Sequence, residues 1–451
     1  MPVRPLLALV LGAAVLATIA GPALATPTAP TSSRSRTDAV IAWNANAGEA
    51  AIAACIAPAD NPLHESRMYA MTHIAIHDAL NAIDRRFQPY AYADAAPRGA
   101  SANAAVAAAA HGVMVPVLGQ LTPPFGQECI DAGVASVEAD YAAAIAEIPD
   151  GRAKTRGIAV GEASAAAILA LRADDGADTT LLDVDYPQGS APGEYRFTPD
   201  RPFAFAPGWA DVTPFVLEDP AQFRPGPPYL VTSRKYAADV NEVQALGGDG
   251  QTTPSIRTEE QTEIAHFWVE SSPLAWNRIA RTVARSQHLD LWANARLFGL
   301  LNMALADGYI GSFDTKYHYN YWRPVTAIRE AATDGNPRTI ADPTWTPLVT
   351  TPPIPDYDSA HAVEGGAAAA VLARVLGNRV SFTACSLTLP EGDCDSASPV
   401  LRHFDSFSEA AAENAVSRIY VGFHFRDAAE TGMKHGHRIG RAAVKNFMRP
   451  A

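Results

Sequence analysis

"LWANARLFGLLNMALADGYIGSFDTKYHYNYWRP", residues 291–324, decides how the chain folds. Apolar residues recur at three- and four-residue spacing, which predicts a long helix. The pattern then runs into a crowded end. Lys316 to Pro324 holds two cations, a histidine and four aromatics in nine residues. Lys316 and Arg323 stand seven apart, two helical turns, so one continuous helix would put both on one face about 10 Å apart. Pro324 falls near the end of the pattern, although "VTAIREA" could continue it with a kink. Alone, the pair reads as a solvated basic stripe, or as two cations facing an anion.

Working outward, the same periodicity fills most of the chain. "SRMYAMTHIAIHDALNAIDRRF", "ANAAVAAAAHGVMVPVL" and "AAAIAEIPDGRAKTRGIAVGEASAAAILALRA" repeat it before residue 175, and "SAHAVEGGAAAAVLARVLG", with Gly377 as a stop, repeats it later. Alanine is abundant, which favours helices, and strand-like alternation is scarce. The fold class is therefore all-α: helical bundles with long proline- and aromatic-rich irregular excursions. The expected organisation is a helical region over 38–175, an excursion over 176–257 and a helical catalytic region over 258–451. Ten prolines fall between Pro187 and Pro228, interleaved with Tyr195, Phe197, Phe203, Phe205, Trp209 and Phe215. That is too aromatic for a disordered linker and predicts an ordered cover over the helices.

Residues 1–25 read as a secretory signal peptide, with Ala23-Leu24-Ala25 as the cleavage site, and 26–37 as a flexible tail. A membrane anchor is the competing reading, but the apolar run is short for a span. No later segment reads as transmembrane. Secretion or a periplasmic location is expected, and four cysteines suit it. Cys385 and Cys394 flank a short polar segment and predict a local disulfide; Cys55 with Cys129 is a guess. A net charge of −13 argues against sequence-independent binding of nucleic acid or anionic membrane.

Two further segments carry chemistry. In "DYDSAHAVEGG", Ser359, Ala360 and His361 open a helix after a proline-rich loop, where first-turn N–H groups lack partners and favour anions. The plainer reading is that Asp358 or Ser359 merely caps that helix. In "SRIYVGFHFRDAAE", Gly422 suits a helix end and Asp427 with Glu430 a capping-box start, so His424 sits in a joint between two helices. Together with Lys316 and Arg323, these supply Lys, Arg, Ser, His, Arg and His beside a helix N-terminus. Arginine forks and a lysine point charge suit an oxyanion, and two histidines allow one nucleophile or metal ligand and one acid/base.

The spaced set "KYHYNYWRP", "DSAH" and "SRIYVGFH" resembles the signature of the vanadium-dependent haloperoxidase and type-2 phosphatidic acid phosphatase superfamily, and "MTHIAIHDALNAI" and "AWNRIA" resemble its soluble bacterial haloperoxidase-like branch. The resemblance implies an all-helical fold with vanadate as cofactor. His424 would bond vanadate, or become phosphohistidine in a phosphatase. His361 would be the acid/base. Lys316, Arg323 and Arg418 would neutralise the oxyanion, with Lys316 also polarising bound peroxide, and Ser359 and the N–H of Ala360 would complete the cradle. Ile354 would lie near the halide.

The chain departs from that signature at three places. Ala360 replaces a glycine, Asp358 replaces a proline, and Asp427 falls three residues after His424 instead of four. A carboxylate at Asp358 would repel an oxyanion unless it points away or is paired, with weaker vanadate affinity or an altered pH optimum as the consequence. The shift of Asp427 would leave His424 without its carboxylate orienter. Other histidines read as structural: His73 and His77 as a buried pair instead of a zinc site, His435 and His437 as residues near a helix's basic end or on a solvated face, and His318 as lying off the Lys/Arg face.

The first functional expectation is a vanadate-dependent haloperoxidase-like enzyme that oxidises halide with hydrogen peroxide. An acid phosphatase using the same pocket on a phosphoester is the second, and a non-catalytic oxyanion-binding protein with a degraded site the third. Nucleic acid and, in the mature chain, an integral membrane segment are not expected; a homodimer stays open.

Overall fold

The computed structural model describes residues 38–121 and 124–451. The expected signal peptide and tail lie outside those residues. Thirteen α-helices are present among the described residues: α1 (Ala39–Ala53), α2 (Pro62–Ile83), α3 (Ala102–Gly119), α4 (Gln127–Ala146), α5 (Arg152–Leu171), α6 (Arg234–Leu246), α7 (Glu259–Phe267), α8 (Ser272–Ser286), α9 (Leu291–Tyr319), α10 (Pro324–Arg329), α11 (Ala360–Leu376), α12 (Phe407–Tyr420) and α13 (Arg426–Asn446). Among the described residues, strand is confined to two small antiparallel ladders, Leu182–Asp183 with Ala204–Phe205 and Phe382–Ala384 with Arg402–Phe404. The all-α expectation holds.

Two helices form the centre. α9 is buried on every face from Leu297 to Phe313, and α2 is buried almost throughout from Leu63 to Ala82. A helix apolar all round must be enclosed by others, and α2, α11 and α13 pack directly on α9. The helix α3 is long and apolar enough to cross a membrane by length and composition. It packs against α5, α2 and α4, and most of its residues are buried there.

The pair α11 and α13 makes the most extensive helix contact. Gly432, Gly436 and Gly440 recur every four residues on α13. A Cβ at Gly432 would meet the carbonyl of Ser359 at 2.6 Å, and one at Gly436 or Gly440 would strike the backbone of Val363 or Ala367. The stripe lets two backbones approach closely and fixes where α11 begins.

The crowded end of α9 differs from expectation. The helix stops at Tyr319, and Asn320 takes a left-handed φ of 45° with its N–H on the Lys316 carbonyl at 2.8 Å. Arg323 is the N-cap residue of α10, and Pro324 is that helix's first residue. Lys316 and Arg323 therefore do not share a helix face. Proline is tolerated at a first helical position because its missing N–H would have no partner there, so Pro324 opens a helix where the sequence pattern placed an ending.

The aromatic-rich segment is ordered and contains α6. Tyr195, Trp209, Phe215 and Tyr236 are buried in it. Its firmest anchor is Asp307 on α9, whose carboxylate accepts the N–H groups of Phe215, Val216 and Leu217 at 2.6–2.8 Å. Both cysteine pairs are closed, Cys55–Cys129 and Cys385–Cys394.

Candidate functional site

Five separate stretches meet below the start of α11: the end of α9, the N-cap of α10, the proline-rich loop 343–358, the end of α12 and the joint 421–425. Lys316, Arg323, Ser359 and Arg418 are all essentially excluded from solvent, and His424 is 5% exposed.

Lys316 Nζ is spent on the loop. It donates to the carbonyls of Pro355 and Asp356, each at 3.0 Å, and to that of Asp358. Arg323 donates from Nε to the Ile354 carbonyl at 2.6 Å and from Nη1 to the Phe423 carbonyl at 2.9 Å. Nη1 also lies 2.9 Å from His424 Nε2. The two basic groups thus lock the loop on one side and the α12–α13 joint on the other. Gly422 makes that joint possible: its φ is +85°, and a Cβ would meet the Gly247 carbonyl at 2.6 Å.

Four buried donors are left without partners: Arg323 Nη2, Arg418 Nε and Nη2, and Ser359 Oγ. Ser359 is the N-cap of α11, but its side chain makes no capping bond; the plain capping reading therefore fails for the hydroxyl. Unpaired buried donors on this scale are costly, and three guanidinium nitrogens that only donate, with a hydroxyl free to donate, suit an oxyanion. The ionisation states point the same way. Burial, with Arg323 adding to it, pushes the Lys316 ammonium down to about 7 and the Arg418 guanidinium down to about 9. Burial and then Arg418 hold His361 well below the ordinary imidazole range; burial and then Arg323 do the same to His424. An anion placed among these groups would reverse the charge repulsion in each.

His361 is held from behind. Its Nε2 lies 3.2 Å from the Glu270 carbonyl. A carbonyl only accepts, so that nitrogen carries the proton and Nδ1 has the free lone pair. Glu270 is itself paired with Arg278.

Asp358 turns away from the cluster of cations. Its oxygens reach Ser312 Oγ at 2.9 Å and His435 Nδ1 at 2.8 Å, in the interior between α9 and α13. The pairing removes the reason to expect repulsion of an oxyanion by this carboxylate. It also corrects the reading of His435, which is buried mid-helix instead of lying near a basic end or on a solvated face; His437 is exposed. Asp427 does not cap α13 either. The N-cap is Phe425, and the Asp427 N–H donates to Asp239 at 3.0 Å.

The remaining histidines are structural. His73 Nε2 lies 2.8 Å from the Asn44 amide, and His77 Nδ1 lies 2.8 Å from Asp78. His318 is exposed, with its ring edge-on to Tyr319. Ile354 is buried in an apolar group with Phe313 and Ala360.

One acidic residue escaped sequence reasoning. Asp356 is fully buried, and its Oδ1 lies 2.9 Å from His424 Nδ1. Burial pushes its carboxyl up to about 8, against the pull of Arg323 and Lys316. It sits between two prolines' worth of irregular chain and Asp358, with no periodicity to give its direction away.

Comparison with known proteins bears on this geometry. The VCPO second helical-bundle domain matches residues 296–451, which carry the whole cluster. Over most of its length the chain is similar to vanadium-dependent haloperoxidases. Vanadium chloroperoxidase from Curvularia inaequalis is 27% identical over an alignment covering 82% of this chain and 76% of that protein. Among solved structures, a bacterial vanadium-dependent iodoperoxidase is 25% identical and superposes with a TM-score of 0.72, covering 91% of this chain and 97% of its own. A holo bacterial vanadium-dependent chloroperoxidase shares the fold, with a TM-score of 0.69 at 17% identity and coverage of 89% and 95%. The family-model match takes in the residues of the cationic cluster, and the likeness to the solved structures spans most of the chain.

Proposed function

We propose that this protein is a vanadate-dependent haloperoxidase, converting halide, hydrogen peroxide and a proton to hypohalous acid and water. The observation that carries this reading is the set of unpartnered, buried donors on Arg323, Arg418 and Ser359. Vanadate fits them because it is a compact oxyanion with acceptor oxygens on every side. Those three residues and the N–H of Ala360 would hold it, and His424 Nε2 would ligate it. When bound, the group would activate peroxide toward a nucleophilic halide.

The protein's own part is charge and proton control. The buried guanidinium groups and Lys316 stabilise negative charge in a site of low dielectric, where such interactions are strong. Lys316 also keeps the proline-rich loop closed against the α9 end. His361, with Nε2 fixed on the Glu270 carbonyl, leaves Nδ1 to take or give the proton the reaction consumes. Ile354 places an apolar side chain beside this pocket, suited to a poorly hydrated halide. Export to an oxidising compartment belongs to the same reading and is supported by the two disulfides.

The test is direct. Purified protein loaded with orthovanadate should brominate a phenolic dye in the presence of peroxide, and His424→Ala should abolish it. Phosphate release from a phosphoester without vanadate, inhibited when vanadate is added, would replace this reading with the phosphatase one. Neither activity, with no vanadate bound, would leave an oxyanion site without catalysis.

A further inference from the structure

His424 has two ring nitrogens and two different neighbours. Arg323 Nη1 lies 2.9 Å from Nε2 and 3.4 Å from Nδ1, so this donor does not by itself choose between the two nitrogens. The acceptor beside Nδ1 does, and a neutral ring gains a partner by carrying its proton there. That nitrogen faces Asp356 Oδ1 at 2.9 Å. The two atoms are at contact distance without full hydrogen-bond alignment, and the backbone N–H of Phe425 also faces the carboxyl. Whether or not the carboxyl is protonated, it offers Nδ1–H an acceptor oxygen.

Asp356 is also held rigidly. Its N–H donates to the Tyr321 carbonyl at 2.8 Å, and its carbonyl accepts from Lys316 Nζ at 3.0 Å. The residue is therefore clamped on both sides by the α9–α10 segment that carries the site's cations. Asp427, the acid nearest His424 in the following helix, is only part-buried. It has its backbone N–H on Asp239, and its carboxylate is drawn toward Tyr229 and Thr431.

We infer that Asp356 is the positioning residue for His424: its carboxyl oxygen accepts from Nδ1–H, fixes the tautomer and ring angle, and leaves the Nε2 lone pair directed at the oxyanion pocket. This rests on His424 being the ligating histidine. The orienting acid comes from the proline-rich loop, on the N-terminal side of α11, and not from α13. Partners of this kind hold a ligating imidazole in place, and their loss typically weakens metal binding by about 10–100-fold.

The experiment uses full-length mature protein and orthovanadate alone, followed by calorimetry, with Asp356→Leu, Asp356→Asn and Asp427→Ala. Asp356→Leu should weaken vanadate binding by about 10–100-fold. Asp356→Asn keeps an acceptor oxygen and should lose no more than about fivefold. Asp427→Ala should bind as the wild type does. Thermal unfolding of each variant separates a folding defect from a binding one, and Asp356→Asn carries the test if the leucine variant does not fold. A second readout needs no vanadate. Nitrogen NMR of histidine-labelled protein, with His424 identified by its loss in His424→Gln, should show the Nδ1–H tautomer in wild type and Asp356→Asn. If Asp356→Leu folds, it should show a mixture. Vanadate binding that survives Asp356→Leu but falls with Asp427→Ala would overturn the inference, as would an Nε2–H tautomer in the wild type. Absence of vanadate binding by the wild type, with the Nδ1–H tautomer intact, would instead sink the functional reading and leave the contact standing.

Discussion

Asp358 and His435 meet at 2.8 Å in the interior of the bundle, each fully buried and each from a helix boundary or face that the site depends on. Asp358 immediately precedes the Ser359 N-cap, so the pair ties the entrance of α11 to the middle of α13. Its second oxygen takes the Ser312 hydroxyl of α9. One carboxylate therefore registers three helices beneath the oxyanion cluster.

Removing half of this pair should be expensive. Asp358→Ala strands a buried imidazole and a buried hydroxyl, at a cost of about 3 kcal/mol or more. The double variant Asp358→Ala/His435→Leu should lose clearly less than the two single losses added together, because the second change removes the stranded ring. Urea unfolding of the four proteins measures the difference. Strict additivity would mean the two residues do not interact.

Ser359→Ala isolates the cradle from the fold. The hydroxyl has no partner within the protein, so its loss should leave the urea midpoint unchanged or slightly raised. Vanadate binding should weaken by about tenfold, the scale of a hydrogen bond to a charged group. A large fall in stability with unaltered vanadate affinity would show that the hydroxyl serves α11 and not an anion.

Glu65 on α2 gives a pH signature of its own. It is fully buried, accepts from Ser271 Oγ at 2.6 Å, and burial pushes it up to about 8. Unfolded, it titrates near ~4.3. Between those values the folded state keeps a proton that the unfolded state has released. The stabilisation is complete below the lower value and is lost as pH rises toward the upper one, at up to ~1.4 kcal/mol per pH unit. Glu65→Gln removes the ionisable group while keeping an acceptor for Ser271. The variant should equal the wild type at about pH 4 and exceed it increasingly up to about pH 8. Denaturation midpoints across that window decide it; parallel curves would place the titration elsewhere.

The helical body was legible because its signals are local. The period of α9, the arrest of α11 at Gly377 and the joint holding His424 each follow from short spacings. What was not legible depends on long-range geometry. Nothing near Lys316 announces that Asn320 takes a left-handed turn, so the seven-residue spacing to Arg323 looked like one helix face. Asp358 looked hostile to an oxyanion because its partner, His435, lies 77 residues away. Asp356 gave no signal at all: an acid in an irregular loop reveals its direction only when the loop is pinned, here by Tyr321 and Lys316. The four oxyanion donors were recoverable as residue types, but only the fold shows that they lack partners.

Asp307 tests how the aromatic-rich segment is attached. Its two oxygens take three consecutive N–H groups, Phe215 to Leu217, and Arg172 lies over the Phe215 ring at 3.9 Å. Asp307→Ala leaves those three donors in a buried position with no acceptor. Each unsatisfied donor costs about 1–3 kcal/mol, which exceeds what a short irregular segment gains by staying docked. The expected outcome is local: amide exchange across 213–218 accelerates by at least about tenfold, while exchange in α2 and α9 changes little. Asp307→Asn, with one acceptor oxygen instead of two, should fall between. Uniform acceleration throughout the chain would mean that Asp307 supports the central helix and not the segment laid over it.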